Sequence, residues 1–215
     1  MRGHVVINIR GTSGSGKSTI VRGIMAMGAT VVPIGEDRKP DGYIITGALF
    51  KRSVYVVGPY VTACGGCDQI TTQDEICDRI RAYATLGDVL VEGLLMSHSF
   101  ARYAALDREL DQQGIHCIWA FLDTPLEVCL DRVRARREER RLAKAVVPEF
   151  KELNVKNTTD KWNDNKEVYH KFRNRNSKDW KLVPKFGYSG PPIALDARHI
   201  DHTRAVEQVY EWLQF

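Results

Sequence analysis

The chain has 215 residues, 43% of them apolar and 27% charged, with a formal net charge of +4; the length suits one ordinary core and the balance excludes wholesale disorder. No window approaches the roughly 20 apolar residues of a membrane span, and the apolar stretch near the start is too short for a signal-peptide core, so a cytoplasmic protein without a membrane segment is expected. Cys64, Cys67, Cys77, Cys117 and Cys129 are odd in number and scattered, unlike a disulfide framework, and the Cys64-Gly-Gly-Cys67 pair lacks the second ligand pair that a zinc site needs.

The charge is segregated. Arg132 to Lys185 carries 17 Lys and Arg against 8 Asp and Glu, a net of +9 against +4 for the whole chain. Such a block faces either a polyanion or solvent.

In chain order, HVVINI (4–9) is a short apolar run suited to a buried parallel strand, and a helix is expected over Lys17 to Met27, closing near Gly28. Between them, Gly11-Thr12-Ser13-Gly14-Ser15-Gly16-Lys17-Ser18, followed by Thr19, fits G-x-x-x-x-G-K-[ST] in its required strand-to-helix setting. Glycines let successive amides point at a polyphosphate, and the helix start adds unpaired N–H groups and a positive dipole end. Lys17 reaches the terminal phosphates and the Ser18 hydroxyl suits a magnesium ion. ATP with Mg²⁺ is therefore the expected ligand pair.

A second strand is expected at TVVPI (30–34), followed by the charged turn GEDRKPDG. There Asp37, with Arg38 beside it, is the candidate general base, at the carboxyl edge where α/β sheets bind ligands. YIITG and SVYVVG read as a hairpin or two further strands, GPYVTACGGCDQ (58–69) as a loop, and 71–87 as a helix. DVLVEG (88–93) reads as a strand that delivers Glu92 to the same edge, where a carboxylate acts on magnesium.

Ser99 to Gln113 is expected as one helix, IHCIWAFLD (115–123) as a buried strand, and TPLEVCLDRVRARREERRLAK as a long helix with Pro125 in its first turn. On that helix Arg132, Arg136 and Arg140 share a face, with Arg137 adjacent, and guanidinium forks suit phosphate oxygens. From about Val146 to Lys185 the periodicity dissolves into basic residues interleaved with Trp162, Tyr169, Phe172 and Trp180. These offer phosphate contacts and stacking surfaces, or else a small packed subdomain. PIALDA (192–197) and TRAVEQVYEWL (203–213) supply a last strand and helix. Strand alternates with helix, so the expectation is a three-layer α/β fold with a parallel central sheet.

GTSGSGKST, GEDR, VLVEG and FLDTPLEVCLDRVRARREE together resemble the P-loop kinase superfamily. That resemblance implies a P-loop NTPase/kinase fold over 1–215, with an arginine lid and a basic insertion, 131–188, before the last strand. It also implies an acid after the second strand that activates an acceptor hydroxyl, with Lys17, Asp37, Arg38, Arg132 and Arg136 catalytic and Arg137 on the nucleotide. VVGPYVTACGGCDQI (56–70) resembles a motif of bacteriophage kinases that phosphorylate the hydroxymethyl group of 5-hydroxymethyluracil in DNA. This implies an acceptor site at Tyr60, Gly65, Gly66 and Asp68, a DNA substrate carrying modified bases, and residence in the host cytoplasm. A kinase of a free nucleoside, nucleotide or metabolite, and a nucleotide-switched DNA-binding ATPase, remain alternatives; oligomeric state is open.

Overall fold

The computed structural model describes residues 3–62, 65–144, 152–173, 196–201 and 204–214. Seven strands form one sheet: β1 (Val5–Arg10), β2 (Thr30–Glu36), β3 (Lys39–Thr46), β4 (Val54–Val57), β5 (Asp88–Glu92), β6 (His116–Leu122) and β7 (Asp196–Ile200), in the order β2-β3-β4-β5-β1-β6-β7. The run β4-β5-β1-β6-β7 is parallel, and β3 pairs antiparallel with both β2 and β4. The central sheet is parallel as expected, and YIITG and SVYVVG take the hairpin alternative, so the sheet is mixed at one edge. Glu36 pairs with Lys39, so Asp37 and Arg38 are the two-residue turn of a hairpin, a local connection that forces antiparallel pairing.

The central strands β1, β5 and β6 are almost wholly buried, which explains their unbroken apolar runs. Helix α1 (Lys17–Met27) and the last helix, α7 (Ala205–Trp212), cover one face through Ile20, Val21, Ile24, Val209 and Trp212. The other face carries α2 (Gln73–Ala84), α3 (Leu94–His98), α4 (Ala101–Gln112) and α6 (Val155–Arg173), packed through Ile76, Ile80, Met96, Tyr103, Val168 and Phe172. A long helix α5 (Leu126–Leu142) follows β6.

The helix expected over Ser99 to Gln113 is α4, and a short helix not expected from the sequence, α3, precedes it; Ser99, extended (φ −98°, ψ 117°), separates the two. The stretch expected to be irregular contains the 19-residue α6. Its aromatics are packing groups: the ring centroids of Phe172 and Trp119 are 3.9 Å apart, and those of Tyr169 and Phe121 are 5.2 Å apart. Trp180 lies outside the described residues. The last described strand is Asp196–Ile200, which overlaps the expected 192–197; residues 192–195 also lie outside the described residues. Cys67, Cys77, Cys117 and Cys129 are buried free thiols, and no group of three or more potential metal ligands occurs among the described residues. Among those residues, no helix is long and apolar enough to cross a membrane.

Candidate active site

The loop between β1 and α1 follows the sequence expectation closely. Gly14 has φ 81°, and a Cβ there would stand 2.4 Å from the Cys129 carbonyl oxygen, so both the dihedral and the close approach of α5 demand glycine. Helix α1 begins after Gly16, in the left-handed region, with no side-chain cap and no acid in its first turn. Its orphan amides and positive dipole end therefore stay available to an anion. The Lys17 ammonium, almost buried, donates to the carbonyls of Gly11 (2.9 Å) and Thr12 (3.1 Å) and so folds back over the loop.

Helix α3 and the segment after β6 brace this loop. The Gly11 amide donates to Ser97 Oγ at 3.0 Å, and Thr124 Oγ1 donates to the Ser15 carbonyl at 2.9 Å. Arg10, wholly buried at the end of β1, lays its guanidinium 3.3 Å from the centroid of Trp119 and donates to the Ser99 carbonyl. Burial pulls its pKa down to about 9 against the opposing charge of Asp107.

Beside the loop, Ser18 Oγ donates to Glu92 Oε1 at 2.7 Å, and the Tyr60 hydroxyl donates to the same oxygen at 3.3 Å. Glu92 is fully buried; burial pushes its carboxyl above the usual range, while the Lys17 charge and the Ser18 hydrogen bond pull the other way. Its second oxygen, Oε2, has no hydrogen-bond partner among the described residues. A buried carboxylate with one free oxygen, one bond from a loop serine, fits the outer environment of a hydrated magnesium ion. The pairing of Ser18 with a buried carboxylate thus suits Mg²⁺.

A cleft of about 790 Å³ opens over Ser13 to Ile20 and is bounded by Arg132 and Arg136 of α5, Asp68, and residues 204–207 at the start of α7. Arg132 Nη1 donates to the Gly14 carbonyl at 3.2 Å. Over most of its length the chain resembles phage proteins described as "5-hmdU DNA kinase": 41% identity over 161 residues with that of Pseudomonas phage PaMx11, spanning 73% of this chain and 79% of the relative. The corresponding protein of Pseudomonas phage M6 is 31% identical over 140 residues, 60% of this chain and 71% of the relative. That of Delftia phage PhiW-14 is 33% identical over 144 residues, 61% and 52% respectively. The chain belongs to the 5-hmdU DNA kinase family. It matches no protein-family model.

In this member of the 5-hmdU DNA kinase family, Gly11 to Thr19, Glu92, Asp68, Arg132 and Arg136 gather at one end of β1 and β5. Arg137 is exposed and does not line the cleft. Asp37 and Arg38 stand apart. They are exposed on the hairpin turn, and β2 lies four strands from β1, a lateral separation of about 19 Å at the usual strand spacing. Because β3 reverses direction, the parallel strand next to β5 is β4, and the segment that leaves its carboxyl end runs through Tyr60 to Asp68. The acid on this segment that lines the cleft is Asp68.

That segment is built onto Glu92. Tyr60 is buried, its ring 5.5 Å from the Arg22 guanidinium carbon and its amide donating to the Tyr43 hydroxyl. Burial first, and then the charge of Glu92, push its phenol pKa well up. Gly65 abuts the Tyr60 ring, where a Cβ would come within 2.5 Å. Gly66, at φ 66°, would bring a Cβ to 2.7 Å from the Glu92 carbonyl oxygen and 2.8 Å from Oε1. The paired glycines, which the resemblance places in an acceptor site, pack closely against Tyr60 and Glu92. Arg22 ties the segment to α1 by donating to the carbonyls of Tyr60 and Thr62. Asp68 is exposed to the cleft and held by the Leu94 amide, which donates to its Oδ1 at 2.6 Å.

Proposed function

We propose that the chain is an ATP- and Mg²⁺-dependent kinase that phosphorylates the hydroxymethyl oxygen of 5-hydroxymethyluracil in DNA. One observation carries this reading: an uncapped helix start with Lys17, a serine bonded to a buried glutamate, and the exposed Asp68 share one cleft in a chain 41% identical to a 5-hmdU DNA kinase.

The α1 amides and Lys17 bind the triphosphate, with the nucleoside lying toward residues 204–207. Ser18, backed by Glu92, would hold the magnesium ion, which when bound neutralises phosphate charge. Asp68 takes the proton of the acceptor hydroxyl. The hydroxymethyl oxygen then forms a bond to the γ-phosphorus as the bond from that phosphorus to the bridging oxygen breaks and ADP departs. Lys17, Arg132 and Arg136 absorb the charge that spreads over the transferred group. Asp68 replaces Asp37 as the proposed base because it lines the nucleotide cleft and Asp37 does not. Within a single domain, Arg132 and Arg136 of α5 supply the basic wall of the cleft over the transferred group. The base must leave the duplex, or be unpaired already, to reach this cleft.

Incubation with γ-labelled ATP and three acceptors tests the reading: hydroxymethyluracil DNA, unmodified DNA, and free nucleosides. Label on the modified DNA alone is expected. Label on free nucleosides would indicate a small-molecule kinase, and release only as inorganic phosphate would indicate a switch ATPase.

A further inference from the structure

Helix α6 and the end of β6 enclose a cavity of about 190 Å³ that shares no lining residue with the nucleotide cleft; Phe121, Asp123, Trp162, Asn165, Lys166 and Tyr169 stand on its walls. It is nevertheless close to the phosphate loop. Asp123 precedes Thr124, whose hydroxyl donates to the Ser15 carbonyl, and Trp162 donates its indole N–H to the Thr124 carbonyl. Because β6 pairs with β1, the cavity and the loop lie at the carboxyl ends of adjacent strands.

The lining describes a ligand. Phe121, Trp162 and Tyr169 bring aromatic carbon to a small volume, which suits a planar ring. Asn165 is only 6% exposed, and its Oδ1 has no hydrogen-bond partner among the described residues. A buried amide left unpaired costs stability, so its presence on this wall calls for a partner that arrives from outside. A primary amide sets a donor beside an acceptor and thereby matches the adjacent donor and acceptor on the edge of a nucleobase. The exposed Lys166 ammonium lies over the Trp162 ring, 3.7 Å from its centroid. Trp162 is thus held by Thr124 and Lys166 and shapes the wall, while Lys166 places a cation where a phosphate can pass. The exposed carboxylate of Asp123 repels a phosphate from the cavity itself, so the base enters and the backbone stays outside.

We propose that this cavity binds one unpaired base of the DNA strand, a neighbour of the target nucleotide, with Asn165 pairing to its edge. The inference rests on the DNA kinase reading above and extends it from the reacting nucleotide to its sequence context. Helix α6 then has two tasks, bracing the phosphate loop through Thr124 and reading a flanking base.

Fluorescence anisotropy of the full chain with single-stranded hydroxymethyluracil oligonucleotides tests this, with abasic sites placed one at a time on either side of the target. For the wild type, one flanking abasic position is expected to weaken binding by about fivefold or more, the lower end of what a stacked base contributes. Asn165→Ala removes the amide and Asn165→Leu fills the cavity. Each should weaken binding of the intact oligonucleotide by a similar factor and show no further loss at that abasic position, while ADP affinity by calorimetry stays at the wild-type value. Neither variant should melt below the wild type, since the amide they remove is unpaired. If the abasic loss is as large in both variants as in the wild type, or if both variants melt lower, the subsite is wrong and the kinase reading stands. Weakened ADP binding with unchanged DNA binding would assign the cavity to the donor nucleotide and likewise overturn the proposal. If the wild type neither binds nor labels the modified oligonucleotide, the kinase reading fails and the subsite fails with it.

Discussion

The Trp162 indole donates to the Thr124 carbonyl at 2.9 Å, and the Thr124 hydroxyl donates in turn to the Ser15 carbonyl at 2.9 Å. Helix α6, well removed in sequence from the phosphate loop, thus sets the shape of that loop through one intermediary. Thr124→Val leaves a carbonyl of the loop without its side-chain partner, a loss of about 1–3 kcal/mol. ADP binding by calorimetry should weaken by about five- to tenfold; an unchanged affinity would show that the Thr124 hydroxyl does not hold the loop in its binding shape.

The assignment of the base separates two carboxylates. Asp68→Asn should lower kcat by roughly 10²–10⁴ with little change in ADP affinity, the range typical for loss of a general base. Asp37→Asn, on the exposed hairpin turn, should keep kcat within about twofold, as surface substitutions away from reacting groups do. Transfer rates for the two variants, measured side by side, decide between them, and the reverse order would restore Asp37.

Glu92 predicts a pH effect of known sign. Its folded pKa is raised above the usual 4.5 by burial, so between that value and the raised one the folded chain holds a proton that the unfolded chain has released. The stability this contributes is fully present below 4.5 and is lost as pH rises through the raised value. Glu92→Gln removes the titration, so the variant should gain on the wild type in melting temperature as pH rises above 4.5. It should also lose magnesium-dependent transfer. A stability difference that does not vary with pH would contradict the burial argument.

Gly66→Ala tests why that position is glycine. The new methyl group would meet the Glu92 carbonyl at 2.7 Å from a backbone at φ 66°, and strain with steric overlap should cost about 2–3 kcal/mol. Gly114, at φ 77° but with nothing within 4 Å of a Cβ, is the control; Gly114→Ala should cost about 1 kcal/mol. Denaturant midpoints measure both, and equal losses would mean that the contact with Glu92 carries no weight.

The parts of the molecule legible in the sequence are those encoded locally. The strand–loop–helix around Lys17 and the strand ending at Glu92 need only neighbours in the chain to be recognised, and both were located to within a residue or two. The hairpin was legible as strands but not in direction, because runs such as YIITG and SVYVVG satisfy parallel and antiparallel pairing alike. The distance of Asp37 from the nucleotide follows from that one ambiguity. Helix α6 escaped because its buried stripe includes Thr158 and Asn165 alongside Val168 and Phe172, so the helical period does not appear as a hydrophobic one. The mutual packing of Tyr60, Gly65, Gly66 and Glu92 joins segments about thirty residues apart, and no local pattern signals it.

Mass spectrometry of nucleosides from a hydroxymethyluracil oligonucleotide, digested after incubation with ATP and magnesium, bears most directly on the central reading. The wild-type chain should yield 5-hydroxymethyldeoxyuridine carrying a phosphoryl group on its hydroxymethyl oxygen, and Lys17→Ala should yield the unmodified nucleoside. Recovery of only the unmodified nucleoside with the wild-type chain, while ATP binds at the loop, would contradict it.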